Sequence, residues 1–330
     1  MRLLSSASER GVRSQECRAR LKRDRARNRC LQTTSTACST SALDCTTATM
    51  SNLRARQLLS DKNISIPTIP SVVQKVQRML EDPNAGANEI GKVVASDAPI
   101  AAKVLKIANS AYYGLRERCI VAEKASAVLG TRVLRNVVTQ AAVISKYDHL
   151  RHSGFDLNGL WKHSILVAQT CHLVGKRSKA MLGLSADEFY VCGLLHDLGQ
   201  VVLLDCMGKD YLDVVHYARV RNLPLHVAEE QRLGFGHTDV GSVVAQQWGL
   251  PTQVQKAIQD HHAAPDVLMR DPVASLVAHV NLLVHRVVEG NLGGAATVTD
   301  ATAQKRLGLT PTDLTEIVEF VDKAQSTVVV

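Results

Sequence analysis

Histidine is distributed very unevenly in this sequence, and the residues around one histidine suggest metal chemistry. All twelve histidines follow residue 148 of the 330-residue chain. His196 is followed directly by Asp197 within the apolar stretch 193–200. Imidazole and carboxylate are common ligands of divalent metal ions. A carboxylate buried in such a stretch also needs a compensating cation. The pattern therefore favours a metal site.

Further histidines have surroundings that make them candidates for the same site. His163 lies in a predicted helix, His237 follows a glycine, and a His-His pair ends another predicted helix. Adjacent residues on a helix point about 100° apart, so His196 and Asp197 are not expected to share one terminal role. A bridging carboxylate beside a terminal imidazole resolves this, as in two-metal phosphoester sites. The predicted metal ligands are His163, His196, Asp197, His237, His261 and His262.

A purely structural role is the alternative for each of these histidines. A lone histidine on an apolar helix is commonly a hydrogen-bonded core residue, because buried polar groups find partners. On that ground no role is assigned to five others, namely His172, His216, His226, His279 and His285.

The elements that must position these residues are predicted to be helices. Apolar residues recur at helical spacing from about residue 64 onward. Such patterns cover 71–82, 88–95, 97–109, 121–129, 131–146, 157–176, 186–204, 209–221, 225–232, 237–247, 251–261 and 271–289. A cap pattern at Thr310 and Asp313 opens a last helix. Alternating strand patterns are absent, so we predict an all-α fold.

Two interruptions of the helical patterns suggest two lobes. One lies near residues 148–158, and a second, glycine-rich one covers 290–300. Single hydrophobic cores stop growing near roughly 250–300 residues, which also favours a division. We expect an N-terminal helical lobe of about 64–150 and a C-terminal helical lobe of about 155–325.

Most of the net charge of +8 belongs to an N-terminal arm. Residues 1–49 hold ten basic and four acidic residues, whereas the remaining 281 hold 29 basic and 27 acidic ones. Residues 1–50 are expected to form a disordered arm that is first basic and then Ser/Thr-rich. The alternatives are a transit peptide and a true start at Met50, with residues 1–49 not translated. The arm lacks aromatic residues for base stacking, so a nucleic-acid partner is not expected.

The remaining composition points to the cytoplasm. The eight cysteines form no C-x-x-C pair, and no secretory signal with an apolar centre is present. No stretch reaches the roughly 20 apolar residues of a membrane-spanning helix. We therefore expect a cytoplasmic protein without a membrane partner.

The order of several motifs resembles a known family. The His-Asp pair, with His163 upstream and His261–His262 downstream, resembles the HD superfamily of metal-dependent phosphohydrolases. The closer resemblance, to the HDOD domain family, rests on Ile66–Pro70, Ile107–Gly114, Ala127–Gly130, Leu134–Val137 and Trp248–Pro251. It implies a two-lobed bacterial signal-transduction module, related to the HD-GYP phosphodiesterases of cyclic-di-GMP but usually without demonstrated catalysis.

The sequence departs from the catalytic relatives at two positions. Catalytic HD enzymes have a late aspartate ligand where this chain has Asn281, a neutral and weaker ligand. HD-GYP enzymes have a lysine where this chain has Gln200, and nothing after His262 resembles their Gly-Tyr-Pro loop. Most candidate ligands are thus retained, while charged groups needed for phosphoester chemistry are missing.

Two functions remain open at this point. The first is a regulatory HDOD module without catalysis, acting through protein or ligand contacts on signalling proteins supplied in trans. The second is a metal-dependent phosphohydrolase acting on a nucleotide or cyclic dinucleotide. A divalent metal, Fe, Mn or Mg, is compatible with both. The segment Asn109–Gly114 could contact a ligand, but a helix C-terminus is the favoured interpretation.

Overall fold

The computed structural model describes residues 51–60, 71–82, 85–178, 184–289, 307–328 and 330. The predicted arm, the Ile66–Pro70 motif and the glycine-rich segment 290–300 lie outside these residues. The described residues contain helices and no strand. The prediction of an all-α fold is therefore confirmed.

The helices, in chain order, largely follow the apolar patterns. They are α1 (51–59), α2 (Ser71–Glu81), α3 (Ala87–Ala95), α4 (Ala98–Ala108), α5 (Ala122–Lys146), α6 (Leu157–Arg177), α7 (Ala186–Leu195), α8 (Leu198–Met207), α9 (Lys209–Arg221), α10 (Leu225–Leu233), α11 (His237–Gln247), α12 (Thr252–Asp260), α13 (Pro265–Leu268), α14 (Pro272–Val288) and α15 (Pro311–Gln325). A short 3-10 helix, Asp148–His152, joins α5 to α6.

The apolar side chains form two main clusters. The first contains buried residues from 72 to 142, carried by α2 to α5. The second contains Ala55 and Leu59 of α1, and then runs from Val143, near the end of α5, through the helices from α6 to α15. The change from one cluster to the other within α5 lies close to the predicted lobe boundary at 150–155. The lobe limits themselves stay a prediction.

The first helix is an element that the sequence analysis missed. Helical structure was expected from about residue 64, yet α1 precedes it and packs on the second cluster through Ala55 and Leu59. Arg54 also donates to the backbone oxygen of Gly234, at 3.2 Å. Two apolar side chains one turn apart are too short a pattern to predict a helix.

The structure breaks two long apolar patterns, one at Gly130 and one at His196 and Asp197. Gly130 interrupts the helical geometry of α5 with φ at 76°, a value that glycine adopts at little cost, so the expected break there is found. By contrast, residues 186–204 were predicted as one helix and are two. The chain turns at His196 and Asp197, between α7 and α8. Because the residues on both sides of this turn are apolar, the helical pattern in the sequence continues across it and does not reveal it.

A close approach of two helices follows directly after that turn. A side chain at Gly199 would overlap the backbone oxygen of His237, so only glycine lets α8 lie this near to α11. The helices α6, α7, α11, α12 and α14 pack around this point. Their contacts bring distant histidines towards one centre.

The stretch Ala186–Met207 is long and apolar enough to cross a membrane by length and composition alone. However, 83% of its most apolar window is buried among the other helices. It also contains the turn at His196 and Asp197. Within the part of the chain that the structure describes, this stretch is therefore part of the second apolar cluster.

Candidate metal centre

The carboxylate of Asp197 lies at the centre of the histidine cluster. Four imidazoles direct their Nε2 atoms at its two oxygens, with distances of 3.1 Å for His196, 3.2 Å for His237, 3.6 Å for His261 and 3.8 Å for His163. The ring of His262 lies beside that of His261, with centroids 4.2 Å apart. The structure thus brings the six predicted ligands together from four parts of the chain.

The candidate ligands form two groups that share Asp197. The first group has ligand atoms within 4.8 Å of one another and consists of Asp197, His237, His261 and His262. The second consists of Asp197, His163 and His196. Asp197 turns Oδ1 towards the first group and Oδ2 towards the second. This is the arrangement of a bridging carboxylate.

The turn between α7 and α8 explains how two adjacent residues reach one site. On a regular helix, His196 and Asp197 would point about 100° apart. Asp197 instead adopts φ −97° and ψ 11°, outside the helical region, and its Oδ2 lies 3.1 Å from Nε2 of His196. The expected conflict between the two side chains therefore does not arise.

Backbone contacts orient the imidazole rings for ligation. Nδ1 of His196 lies 2.7 Å from the carbonyl oxygen of Gly193, and Nδ1 of His261 lies 2.9 Å from that of Ile258. A carbonyl only accepts, so each Nδ1 carries a proton, and a neutral ring in this orientation presents the lone pair of its Nε2. These lone pairs face an anionic carboxylate.

Such an assembly of acceptors needs a cation. Nε2 of His196 is buried without a hydrogen-bond partner and faces the carboxylate of Asp197, which is costly unless a positive charge lies between them. Nε2 of His237 and Nε2 of His261 are 3.3 Å apart. Two nitrogen ligands at about 2.1 Å from one tetrahedral metal would be roughly 3.4 Å apart. The residues therefore fit a divalent metal ion.

A buried carboxylate behind His237 was not anticipated from the sequence. Glu229 is fully buried, and its Oε2 accepts from Nδ1 of His237 at 2.6 Å and from the backbone N–H of His237 at 2.9 Å. Its Oε1 accepts from the hydroxyl of Tyr211 at 2.7 Å. Glu229 thus fixes the ring with Nε2 towards Asp197. The sequence signal that could have identified Glu229 is its position in α10 directly after Ala228, which is also buried.

Burial and charge set the protonation of this group in the absence of metal. Burial lowers the pKa of His261 to about 4 and moves that of His262 further down, so both rings are neutral ligands. Burial also lowers the pKa of His237, but Glu229 and Asp197 outweigh it and raise the value to about 10. A proton on His237 therefore takes the position that a metal ion would fill.

The second group differs because of Asn281. Nε2 of His163 lies 2.9 Å from Oδ1 of Asn281. Burial, aided by His196 and His285, lowers the pKa of His163 to about 3, so the ring is neutral. The amide contact occupies the nitrogen that would otherwise bind a metal ion. Asn281 thus competes with a metal ion for His163 in this half of the site.

Two histidines that received no role flank the site. The ring of His226 stacks on His262, with centroids 4.1 Å apart, and the ring of His285 lies 4.3 Å from that of His163. The other three unassigned histidines lie elsewhere. His172 contacts Tyr112, His279 contacts the carbonyl oxygen of Ser275, and His216 is exposed on α9.

The segment Asn109–Gly114 has the structural role that the sequence favoured. Asn109 ends α4, and its side-chain amide donates to the carbonyl oxygens of Leu105 and Cys119, both at 2.8 Å. Gly114 has a positive φ of 57°. The hydroxyl of Tyr112 lies 3.0 Å from Nδ1 of His172 on α6. The segment thus caps a helix and joins the two clusters.

Comparison with known proteins places this site in a family. The HDOD domain family matches residues 66–264. An uncharacterized protein of Treponema pallidum (strain Nichols) is 29% identical over 236 residues, which are 70% of this chain. The chain spans 44% of the length of that curated relative.

Solved structures share the fold. An HDOD domain protein of unknown function from Geobacter sulfurreducens has a TM-score of 0.69 and 24% identity, covering 84% of this chain and 95% of its own. A proposed phosphohydrolase from Shewanella amazonensis SB2B has a TM-score of 0.66 and 21% identity, covering 83% and 96%. A proposed signal transduction protein from Marinobacter aquaeolei VT8 has 0.66 and 22%, covering 84% and 64%. With the family match over most of the chain, these likenesses lead to one assignment: the chain belongs to the HDOD domain family.

Proposed function

We propose that this protein is a regulatory signal-transduction module that holds one divalent metal ion and does not turn over a substrate. The observation that carries this proposal is the contact between His163 and Asn281. It lies where the resemblance to catalytic HD enzymes implies an aspartate ligand. One half of the histidine cluster is complete, and the other half has lost a charge and the free nitrogen of His163.

The complete half supplies a well-formed set of donors. Asp197, His237, His261 and His262 offer one carboxylate and three imidazoles. Glu229 adds a second negative charge behind His237, and such carboxylate–histidine pairs raise the affinity for metal. Imidazole ligands suit iron better than magnesium, which prefers oxygen ligands. We therefore favour Fe, with Mn next and Mg last.

The missing charges argue against catalysis. Hydrolysis of a phosphoester needs a metal-activated water and positive charge at the phosphoryl oxygens. Asn281 weakens the second metal position, and Gln200 brings no charge where HD-GYP enzymes carry lysine. Loss of one such electrostatic group costs roughly 100- to 1000-fold in rate, so two losses leave little activity.

A module without turnover must act through contacts. We propose that it acts in the cytoplasm on signalling proteins supplied in trans. Support for a reducing compartment comes from Cys119, Cys171 and Cys192, which are free and buried among apolar neighbours.

A metal-dependent phosphohydrolase is the second candidate. The bridging position of Asp197 between two donor groups favours it, because paired metals are common in phosphoester hydrolysis. One protein of similar fold is itself a proposed phosphohydrolase. Its substrate here would be a nucleotide or a cyclic dinucleotide.

An activity measurement separates the two candidates. The purified protein, supplied with Mn²⁺ or Fe²⁺, is tested on cyclic-di-GMP and on a generic phosphodiester, with His196→Ala as the control. The regulatory module predicts the same background rate for both proteins. Turnover near 1 per second, which is ordinary for an enzyme, that vanishes in the control would establish the phosphohydrolase instead.

A further inference from the structure

We propose that a basic cleft between α4 and α6, separate from the histidine cluster, binds a phosphorylated small molecule. The cleft is open to solvent and has a volume of about 470 Å³. Binding sites for small molecules commonly have volumes of about 300–1000 Å³ and a few convergent polar groups. The cleft is lined by Lys106, Arg151, Asn158, Lys162, Val328 and Val330.

The cleft concentrates positive charge in a nearly neutral region of the chain. Three of its six lining residues are basic, whereas residues 50–330 carry 29 basic and 27 acidic residues in total. Asp148 offsets part of this charge by pairing with Lys103 at 3.0 Å and with Arg151 at 2.9 Å. The three basic residues that line the cleft, Lys106, Arg151 and Lys162, still exceed it, so the cleft attracts anions.

The guanidinium of Arg151 is already held in place. Its Nε donates to Asp148 at 2.9 Å, and its Nη1 donates to Oδ1 of Asn158 at 2.8 Å. Among the described residues, no bond to Nη2 is found. A guanidinium that is already oriented and has Nη2 available is well suited to bind a phosphate, because its side chain loses less conformational entropy on binding.

The cleft also contains an oxygen acceptor and an apolar wall. Nζ of Lys106 donates to the backbone oxygen of Val330, which shows that the lysine can reach an oxygen atom in this position. A phosphate oxygen would take the place of that backbone oxygen. Val328 and Val330 offer apolar surface to the remainder of the ligand.

The cleft lies between two helices, so a ligand bound in it could regulate how these helices are arranged. Lys106 lies on α4, which carries residues of the first apolar cluster, and Lys162 lies on α6 directly before His163. A ligand held by both helices would stabilise one arrangement of α4 against the helix that carries a candidate metal ligand. This consequence rests on the proposed regulatory function, whereas the binding itself does not.

The test is calorimetric titration of the purified full-length protein with pyrophosphate. The double variant Lys106→Glu, Lys162→Glu reverses two charges in the cleft. The matched control, Lys92→Glu with Lys209→Glu, makes the same charge change at exposed positions on α3 and α9. Wild type and control are expected to bind alike. The cleft variant is expected to bind about 100-fold more weakly, since each lost charge-assisted bond costs roughly tenfold or more.

Three outcomes would overturn the proposal. These are an absence of saturable binding to the wild type, undiminished binding to the cleft variant, and an equal loss in the control. Circular dichroism and metal content are measured on each variant, and both should be unchanged because the substituted side chains are exposed and none is a candidate ligand. The metal content and the hydrolysis assay test the regulatory function separately, so the two failures are distinguishable.

Discussion

The two halves of the histidine cluster share one carboxylate and differ in the residues behind it. In the half around His237 and His261, Glu229 supports a ligand with a second buried negative charge. In the half around His163, the neutral amide of Asn281 instead contacts Nε2, the nitrogen that faces Asp197. A divalent ion is stabilised by negative charge in a buried site. The comparison teaches that the residues around the shared carboxylate, and not the imidazoles alone, set how well each half is suited to a metal ion.

Removal of the shared carboxylate should have the largest effect. Asp197→Asn leaves the size of the side chain unchanged but takes the only candidate carboxylate ligand from both groups of described residues. We expect a loss of metal affinity of at least about 100-fold, beyond the roughly 10- to 100-fold that outer residues contribute. Metal analysis by mass spectrometry measures it, with Asp213→Asn on the exposed face of α9 as the control. A metal content equal to that of the wild type would refute the central position of Asp197.

The charge behind His237 should come next. Glu229→Gln keeps the shape of the side chain and removes one negative charge, so metal affinity should fall about 10- to 100-fold. Co²⁺ titration followed by visible absorption measures the affinity and reports the ligand geometry. Tyr211→Phe keeps the carboxylate and removes only its hydrogen bond from the hydroxyl, so its loss should be smaller. Equal losses in both variants would indicate a packing defect.

Removal of metal should expose a dependence of stability on pH. In the metal-free protein the pKa of His237 is raised to about 10, because Glu229 and Asp197 outweigh burial. The usual value is about 6.5. A raised pKa stabilises the fold below pH 6.5, and this contribution is lost as the pH rises through 10. Urea unfolding of chelated protein at pH 6, 8 and 10 should show the decline, and Glu229→Gln should reduce it.

The weaker half can be altered in the opposite direction. Asn281→Asp restores a charged ligand close to His163 and should raise the metal content from one ion per chain towards two. Hydrolysis should stay low while Gln200 is present. Asn281→Leu, which removes the amide contact without adding charge, is the matched control and should stay at one ion. A metal content of two ions per chain in the wild type would contradict the proposal that only the half around His237 binds a metal ion.

The sequence revealed the inner residues of the site better than the outer ones. His196 and Asp197 could be selected as candidates because a His-Asp pair in an apolar stretch is unusual, and the resemblance to HD enzymes supported the other predicted ligands. Glu229 could not, since its role depends on α10 turning it towards a histidine eight residues later. The turn at His196 was likewise hidden by apolar neighbours in α7 and α8.

For the fold too, local features were predicted from the sequence better than contacts between distant residues. The apolar periodicity predicted most helices because burial of one helix face leaves a repeated pattern. The helix α1 was missed because it buries only Ala55 and Leu59. The contact between Asn281 and His163 spans 118 residues, and no local pattern predicts such a pairing. The resemblance to HD enzymes marked Asn281 as a departure, and the structure adds what the amide contacts.

The outermost histidines should show the smallest effects, and they compare the halves directly. His226 stacks on His262 in the complete half, and His285 contacts His163 in the weaker half. Aromatic contacts contribute about 0.5–1.5 kcal/mol, which is roughly a 2- to 12-fold change in affinity. His226→Leu should therefore weaken binding of the first metal ion by a few-fold, because the ring of His262 loses its support. His285→Leu should leave that affinity unchanged, since it touches only the half where Asn281 already occupies His163. Competitive metal titration with a fluorescent chelator resolves differences of this size. If His285→Leu weakened binding as much as His226→Leu, the first ion would not be confined to the half around His237.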